Sequence, residues 1–380
     1  MNSGFIPPWE KEDAFPERPA DKDYGYEIRG KFVGCSREEL IKKCSSREWP
    51  PIHLVWCPES PRVVPATQID FLFDALQERQ RSEMKSAIVI GSINAFVWGT
   101  FALLLGGHDH SAKWTWMLLL ATTTGAIPVT TGIFGLRKLK PNFAAAMDEE
   151  ITIGRYHSWV LSRRILFSWL LLGGLGGVFV LENIYGFEES AKAAGLDKPA
   201  VWQGEWWRLF TGPLLHGNVM HFIFNASALI GLGRLMEVLT SRHYLALVFG
   251  LSASAGSIFS LFLLPNVTSV GASGGLLGLI GFLAVLGVKR KNILPPGFVK
   301  SIAINVAIIA AMGIVAYSVI DNAAHLGGFL CGVILGLWLV DSHKQTLPLD
   351  SGTNMKIAGV LILAVTLGFA CLAMTRIFPK

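Results

Sequence analysis

At 380 residues the chain is long enough for more than one domain, and 51% hydrophobic against 16% charged residues argues against a soluble protein and for a polytopic membrane protein. A net charge of +5 is no nucleic-acid signature here, because the basic residues fall in short clusters between apolar runs. The five cysteines, odd in number and scattered, argue against a disulfide framework.

Residues 1–86 form a polar, proline-bearing segment, expected to be a small cytosolic domain. It contains one predicted helix, Thr67 to Arg81, with Thr67 as cap. The start of the chain has acids and prolines and no apolar core of a signal peptide, so no cleavable signal is expected. Cys35, Cys44, Cys57 and His53 contain no CxxC pair and read as reduced thiols rather than zinc ligands; no metal and no cofactor is predicted.

Nine apolar runs follow, at 87–106, 114–136, 164–184, 217–239, 243–264, 271–288, 300–318, 323–341 and 355–376. Each is near the length that crosses a bilayer. Basic clusters precede the first and third runs, follow the second and sixth, and separate the fourth from the fifth. The excess of Lys and Arg on cytoplasmic loops then sets an alternating topology with residues 1–86 inside. The loop from Tyr185 to Leu215 lies outside; its Trp202, Trp206 and Trp207 suit a membrane interface. Acidic residues in the core spans read as nearly absent, Glu237 at an inner end being the exception.

Polar groups at membrane depth are costly and are functional candidates by default. Three sets stand out: His216, His221 and Asn225 at the start of the fourth span, Ser273 at the start of the sixth, and His325 at the start of the eighth. All three spans run outside to inside, so the sets share one depth below the outer surface. At 100° per residue His221 and Asn225 lie about 40° apart on one helix face, while His216 is about 140° from His221 and points elsewhere if that stretch is helical. Gly271, Gly274 and Gly278 around Ser273, and Gly328 and Gly332 after His325, form small-residue faces that permit close approach of the two spans. A serine bonded to a histidine is an activated nucleophile with its own acid–base partner. His221, Asn225 and the Ser273 N–H are candidate oxyanion donors. With no acid placed to orient His325, Asp321 lying one turn away at the lip, the pattern reads as a dyad.

These residues resemble the rhomboid family of intramembrane serine proteases. The resemblance is carried by Gly-Ala-Ser-Gly at 271–274, His325 with Gly328 and Gly332, the His-x4-His-x3-Asn of His216, His221 and Asn225, and Trp207-Arg208 in the first outer loop. It covers about 164–341. It implies an all-α, polytopic helix bundle with a six-helix core at 141–345, two added spans at 87–140 and one at 346–380. It also implies Ser273 as nucleophile, His325 as base, and His221 and Asn225 as oxyanion donors. The implied activity is cleavage of single-span membrane proteins near the outer face of what is expected to be a bacterial cell membrane. The chain departs from some members at Leu277, where those carry an aromatic ring stacked on the histidine. Two other functions compete. A non-catalytic rhomboid-like binder of membrane helices would usually lack the serine or the histidine, and a proton-relay transporter would carry more charge in its spans and an internal repeat.

Overall fold

The computed structural model describes residues 6–28, 31–46, 54–105, 117–118, 120–138, 143–265, 267–317, 319–342, 344 and 346–378. These fall into two compact units, one of Ile6–Ser162 with Ile314–Val319, the other containing Arg163–Gly313 and Ile320–Lys380.

The first unit begins with a small antiparallel sheet: β1 (Tyr24–Ile28), β2 (Lys31–Cys35), β3 (Leu54–Trp56) and β4 (Val64–Pro65), in the order β2-β1-β3-β4. Helix α1 (Arg37–Ser45) opens on Ser36, whose hydroxyl accepts from the Glu39 N–H, and buries Leu40 and Cys44. Those two residues join Tyr26, Val55, Cys57, Ile69 and Leu72 in one core. Burial pushes the Cys44 thiol up to about 12, so it is a packing group and not a reactive one.

The sheet is a departure from the all-helical expectation. So is the start of the next helix. Ala66–Gln68 and Asp70–Leu72 are 3-10 turns separated by an extended Ile69, and Thr67 sits inside the first of them rather than capping anything. Helix α2 (Phe73–Leu105) starts only then, and it continues unbroken through the first apolar run. Polar beginning and apolar end, read from sequence as two elements, are one helix. It packs on residues 121–138, a π-helical turn at Ala121–Ala126 followed by α3 (Ile127–Lys138). A methyl group on Gly125 would lie 2.7 Å from Ala95, so the pair is in backbone contact, and Asn94 Nδ2 donates to Thr124 O across it. Helix α4 (Phe143–Ser162) closes the unit.

The second unit holds α5 (Phe167–Tyr185), the short loop helices α6 (Phe187–Ala194), α7 (Lys198–Trp202) and α8 (Arg208–Thr211), then α9 (Val219–Leu239), α10 (Arg242–Leu263), α11 (Ser273–Lys289), α12 (Phe298–Val315) as far as Gly313, α13 (Asn322–Leu339) and α14 (Thr353–Ile377). Among the described residues, six helices are long and apolar enough to cross a membrane, and α11 and Phe298–Ile314 are shorter apolar helices. The protein is an integral multi-pass membrane protein built as a helix bundle.

Helix α11 is the axis of this unit. From Gly274 to Gly287 nearly every residue is buried, as expected of a helix that is apolar all round and walled by others. Its neighbours are α13 and α10. Glycine makes the contact with α13 possible: a methyl on Gly328 would stand 2.0 Å from the Gly274 carbonyl oxygen, and one on Gly332 would stand 1.9 Å from that of Gly278. At the far end of α11 from Ser273, Lys289 Nζ donates to Leu337 O and Val340 O and so satisfies carbonyls at the end of α13. Glu237 accepts from the N–H groups of Leu166 and Ser168 and from the Ser168 hydroxyl, which accounts for an acid at that depth.

The glycine contact predicts unequal effects of one small substitution. Gly332→Ala drives a methyl group into backbone and is expected to cost about 1–3 kcal/mol, read as a lower thermal midpoint in detergent. Gly368→Ala, on α14 with nothing within 4 Å, is expected to be neutral or to stabilise by roughly 0.5–1 kcal/mol. Equal midpoints for the two variants would contradict the contact.

Candidate active site

Ser273 is the first residue of α11. The segment leading into it is pinned from two sides. Ser269 exchanges both backbone hydrogen bonds with Leu196 of the loop between α5 and α9, at 2.9 and 3.1 Å, and the Gly271 N–H donates to Gly212 O. Gly271 then turns the chain with φ of +128°, a conformation that glycine tolerates and L side chains rarely adopt. A methyl group there would also lie 2.6 Å from the His221 ring, so the ring rests directly on this glycine.

His325 stands in the first turn of α13. Asp321 caps that helix: its Oδ1 accepts from Ala324 N at 2.8 Å and its carbonyl accepts from His325 N at 3.1 Å. With α11 and α13 in backbone contact, His325 Nε2 reaches Ser273 Oγ at 2.8 Å. Asp321 Oδ2 accepts from Ser260, so both of its oxygens are engaged away from the imidazole. Among the described residues no aromatic ring lies against His325; the Leu277 side chain is buried nearby on α11.

His221 and Asn225 are on α9, whose N-terminus is capped by Asn218 accepting from the His221 N–H. Asn225 is 5% exposed, and its Nδ2 has no hydrogen-bond partner among the described residues. Both side chains face Gly271, two residues before Ser273. The first N–H groups of α11 have no partner within their own helix and add a positive end at the same place.

His216 corrects the rotation argument. Helix α9 starts only at Val219, so His216 lies before the cap, where helical angles do not apply. Its ring meets His221 at 5.4 Å between centroids, edge to face. It is fully buried, and its backbone N–H donates to Glu182 Oε1 at 2.7 Å. Glu182 was overlooked: it lies within the third span, so Glu237 is not the lone core acid. Its Oε2 stands 3.9 Å from His216 Nδ1, and it is 0% exposed. An acid inside an otherwise apolar run was the available signal.

In the loop between α5 and α9, Arg208 stacks over the Trp207 ring at 4.7 Å, pairs with Glu205 at 2.5 Å and donates to Gly195 O at 2.8 Å. Thr211 Oγ1 donates to Ala194 O. These bonds fold the loop that carries Leu196 and Gly212 to the serine segment. No group of three or more metal-ligating side chains occurs among the described residues; Cys35, Cys44 and Cys57 are free thiols, and His53 lies outside those residues.

Residues 203–342 match the family model of the Rhomboid domain. The rhomboid protease GluP of Bacillus subtilis (strain 168) is 30% identical over 174 residues, 44% of this chain and 32% of that protein. RHOMBOID-like protein 4 of Arabidopsis thaliana is 33% identical over 164 residues, covering 43% of this chain and 42% of its own length. Inactive RHOMBOID-like protein 8, also of Arabidopsis thaliana, is 33% identical over 127 residues, 33% of this chain and 36% of that protein. The matches thus span less than half of these relatives. Over residues 203–342, then, the chain is similar to the Rhomboid domain, and its relatives include both a named protease and a named inactive protein.

The site geometry makes Glu182 a structural partner of His216. Glu182→Ala leaves a buried N–H unpaired and is expected to cost roughly 1–3 kcal/mol. Glu182→Gln retains an acceptor oxygen and is expected to stay near wild type. Thermal unfolding in detergent compares them; an Ala variant as stable as wild type removes the bond from the account.

Proposed function

We propose that the protein is an intramembrane serine endopeptidase that uses Ser273 and His325 as a dyad. The observation that carries this reading is the 2.8 Å contact between Ser273 Oγ and His325 Nε2, made by side chains from two helices held in backbone contact. In the proposed reaction His325 Nε2 takes the hydroxyl proton as Ser273 Oγ attacks the scissile carbonyl of a substrate. The negative charge that develops on the carbonyl oxygen is met by Asn225 Nδ2, by His221 and by the N–H of Ser273 at the positive end of α11. Collapse breaks the C–N bond, and the proton on His325 passes to the leaving amine. Water then attacks the acyl-serine, His325 accepts its proton, and the acid product leaves as the proton returns to Ser273.

The unpartnered donor of Asn225 supports this assignment, since a buried amide without a partner calls for an explanation. The substrates proposed are single-span membrane proteins cut near the outer face, with the basic loops directing residues 1–86 to the cytoplasm of a bacterial cell. The proposed organisation is a cytosolic segment at 1–86, two added spans at 87–140, a catalytic core at 141–345 and a C-terminal helix at 346–380. No cofactor enters the reaction as written. One relative bears the name of an inactive protein, yet the serine and the histidine are both present here, which favours the enzyme over a non-catalytic binder.

The test is purified protein with a single-span reporter. Ser273→Ala and His325→Ala are each expected to abolish cleavage while leaving thermal stability near wild type, and the double variant to be no worse than either, because the two act as a unit. Asn225→Ala is expected to lower kcat by roughly 10- to 1000-fold with a smaller change in KM. Cleavage by Ser273→Ala at the wild-type rate would end the proposal.

A further inference from the structure

Lys198 is fully buried, an unusual state for a lysine, and it stands at the start of α7 in the loop between α5 and α9. Its Nζ donates to Val267 O and to Ser269 Oγ, the latter at 2.5 Å. Ser269 Oγ lies 3.2 Å from Ser260 Oγ on α10, and the Ser260 hydroxyl donates to Asp321 Oδ2. The donors can run only one way. A carboxylate accepts, so Ser260 donates to Asp321; Ser260 then accepts from Ser269, which accepts from Lys198. A buried cation and an anion are thus joined through two hydroxyls. Burial pushes Lys198 down to about 8, while Asp321 and Asp197 act in the opposite direction.

The ends of this chain matter. Ser269 is four residues before Ser273, and Asp321 is four residues before His325. Asp321 also holds the first turn of α13 through Ala324 N and through its own carbonyl to His325 N. Three regions distant in sequence meet here: the loop that holds Lys198, the end of α10 with the segment into Ser273, and the cap of α13. Stability alone is a poor account of such a network, because a buried ion pair is often replaced by apolar groups at no loss. A network that polarises along its length does fix geometry.

We propose that Lys198 is a positioning residue for the Ser273–His325 pair, acting through Ser269, Ser260 and Asp321 to hold the segment that delivers the serine against the helix that delivers the histidine. The inference rests on the dyad reading. Lys198 touches neither reacting side chain and takes no part in proton transfer. Its effect is on how often Oγ and Nε2 sit in bonding register.

The experiment uses the full chain in detergent with the single-span reporter and compares wild type, Lys198→Met, Lys198→Arg, Ser260→Ala and Ser273→Ala. It reads kcat, KM, thermal midpoint, and the rate at which a fluorophosphonate labels Ser273. The probe is small and needs the nucleophile but not a docked helix. Lys198→Met is expected to lower kcat by roughly 10- to 100-fold, as a misplacement of about 1 Å would, with KM within about twofold; the midpoint is expected to fall because Asp321 loses its countercharge, so each variant is assayed at a fixed interval below its own midpoint. Labelling should slow by a similar factor. Lys198→Arg keeps the charge and is expected to recover part of kcat. Ser260→Ala cuts the chain in the middle, leaves Lys198 with two acceptors, and should reproduce the kcat loss even if Lys198→Met does not fold. Wild-type kcat in Lys198→Met or Ser260→Ala overturns the inference. So does a loss confined to KM, which would make the loop a docking element, or a kcat loss that disappears when each variant is assayed at the same interval below its own midpoint, which would make the lysine a staple. Ser273→Ala separates the two levels: its continued cleavage defeats the dyad, while an inactive Ser273→Ala beside a fully active Lys198→Met defeats only the role of the lysine.

Discussion

The site depends on two backbones touching. Lipid offers helices no hydrophobic drive to associate, so contact must come from close packing and from polar groups that reach across. Gly274 and Gly278 of α11 meet Gly328 and Gly332 of α13 so closely that a single added carbon would fall within 1.9 to 2.0 Å of a carbonyl oxygen. Gly256 on α10 does the same against Ala324 O, at 2.7 Å. Three helices are thereby locked within a few residues of Ser273 and His325. At ordinary interaxial distances of about 8–10 Å, two short side chains at the mouths of neighbouring helices do not meet so readily. The glycines therefore determine whether the hydroxyl and the imidazole can bond, although none of them takes part in chemistry.

The polar groups obey a second constraint. Each one buried at this depth needs a partner, and most find it in a loop or helix end rather than in another span. Glu182 meets the N–H of His216 just before a helix begins, Glu237 meets the first N–H groups of α5, and Asp321 meets those of α13. Helix starts are where unpaired N–H groups occur, so carboxylates gather there. The consequence for the reaction is that Asp321, the acid nearest His325 in sequence, is committed to the cap and to Ser260. The histidine is left with the serine.

This also explains what could be read in advance. The spans, the small-residue faces and the candidates Ser273, His325, His221 and Asn225 are written in local pattern: apolar length, glycine spacing and helical periodicity. The small sheet was not legible, because strands of five, five, three and two residues give too little alternation to detect. The continuity of α2 from Arg81 into the apolar run at 87 was hidden for a different reason. A helix that leaves water for lipid changes composition midway, and the change looks like an end. His216 was placed on another face because helical periodicity was carried past the Asn218 cap. Lys198 gave no signal at all. A lone lysine in a polar loop reads as solvated, and its partners Val267, Ser269 and Asp321 lie far along the chain.

The loop between α5 and α9 therefore has a more exacting task than the aromatic belt its tryptophans suggest. Trp202 and Trp206 remain exposed, at 54% and 52%, as aromatic residues at a membrane interface can be. The buried side of the loop is a different surface. Arg208 and Thr211 fold it onto itself through Gly195 O and Ala194 O, and Leu196, Lys198 and Gly212 then hold the segment that enters Ser273. The same stretch of backbone thus carries both the exposed tryptophans and the contacts that fix the approach to Ser273, so a change in how the loop folds reaches both.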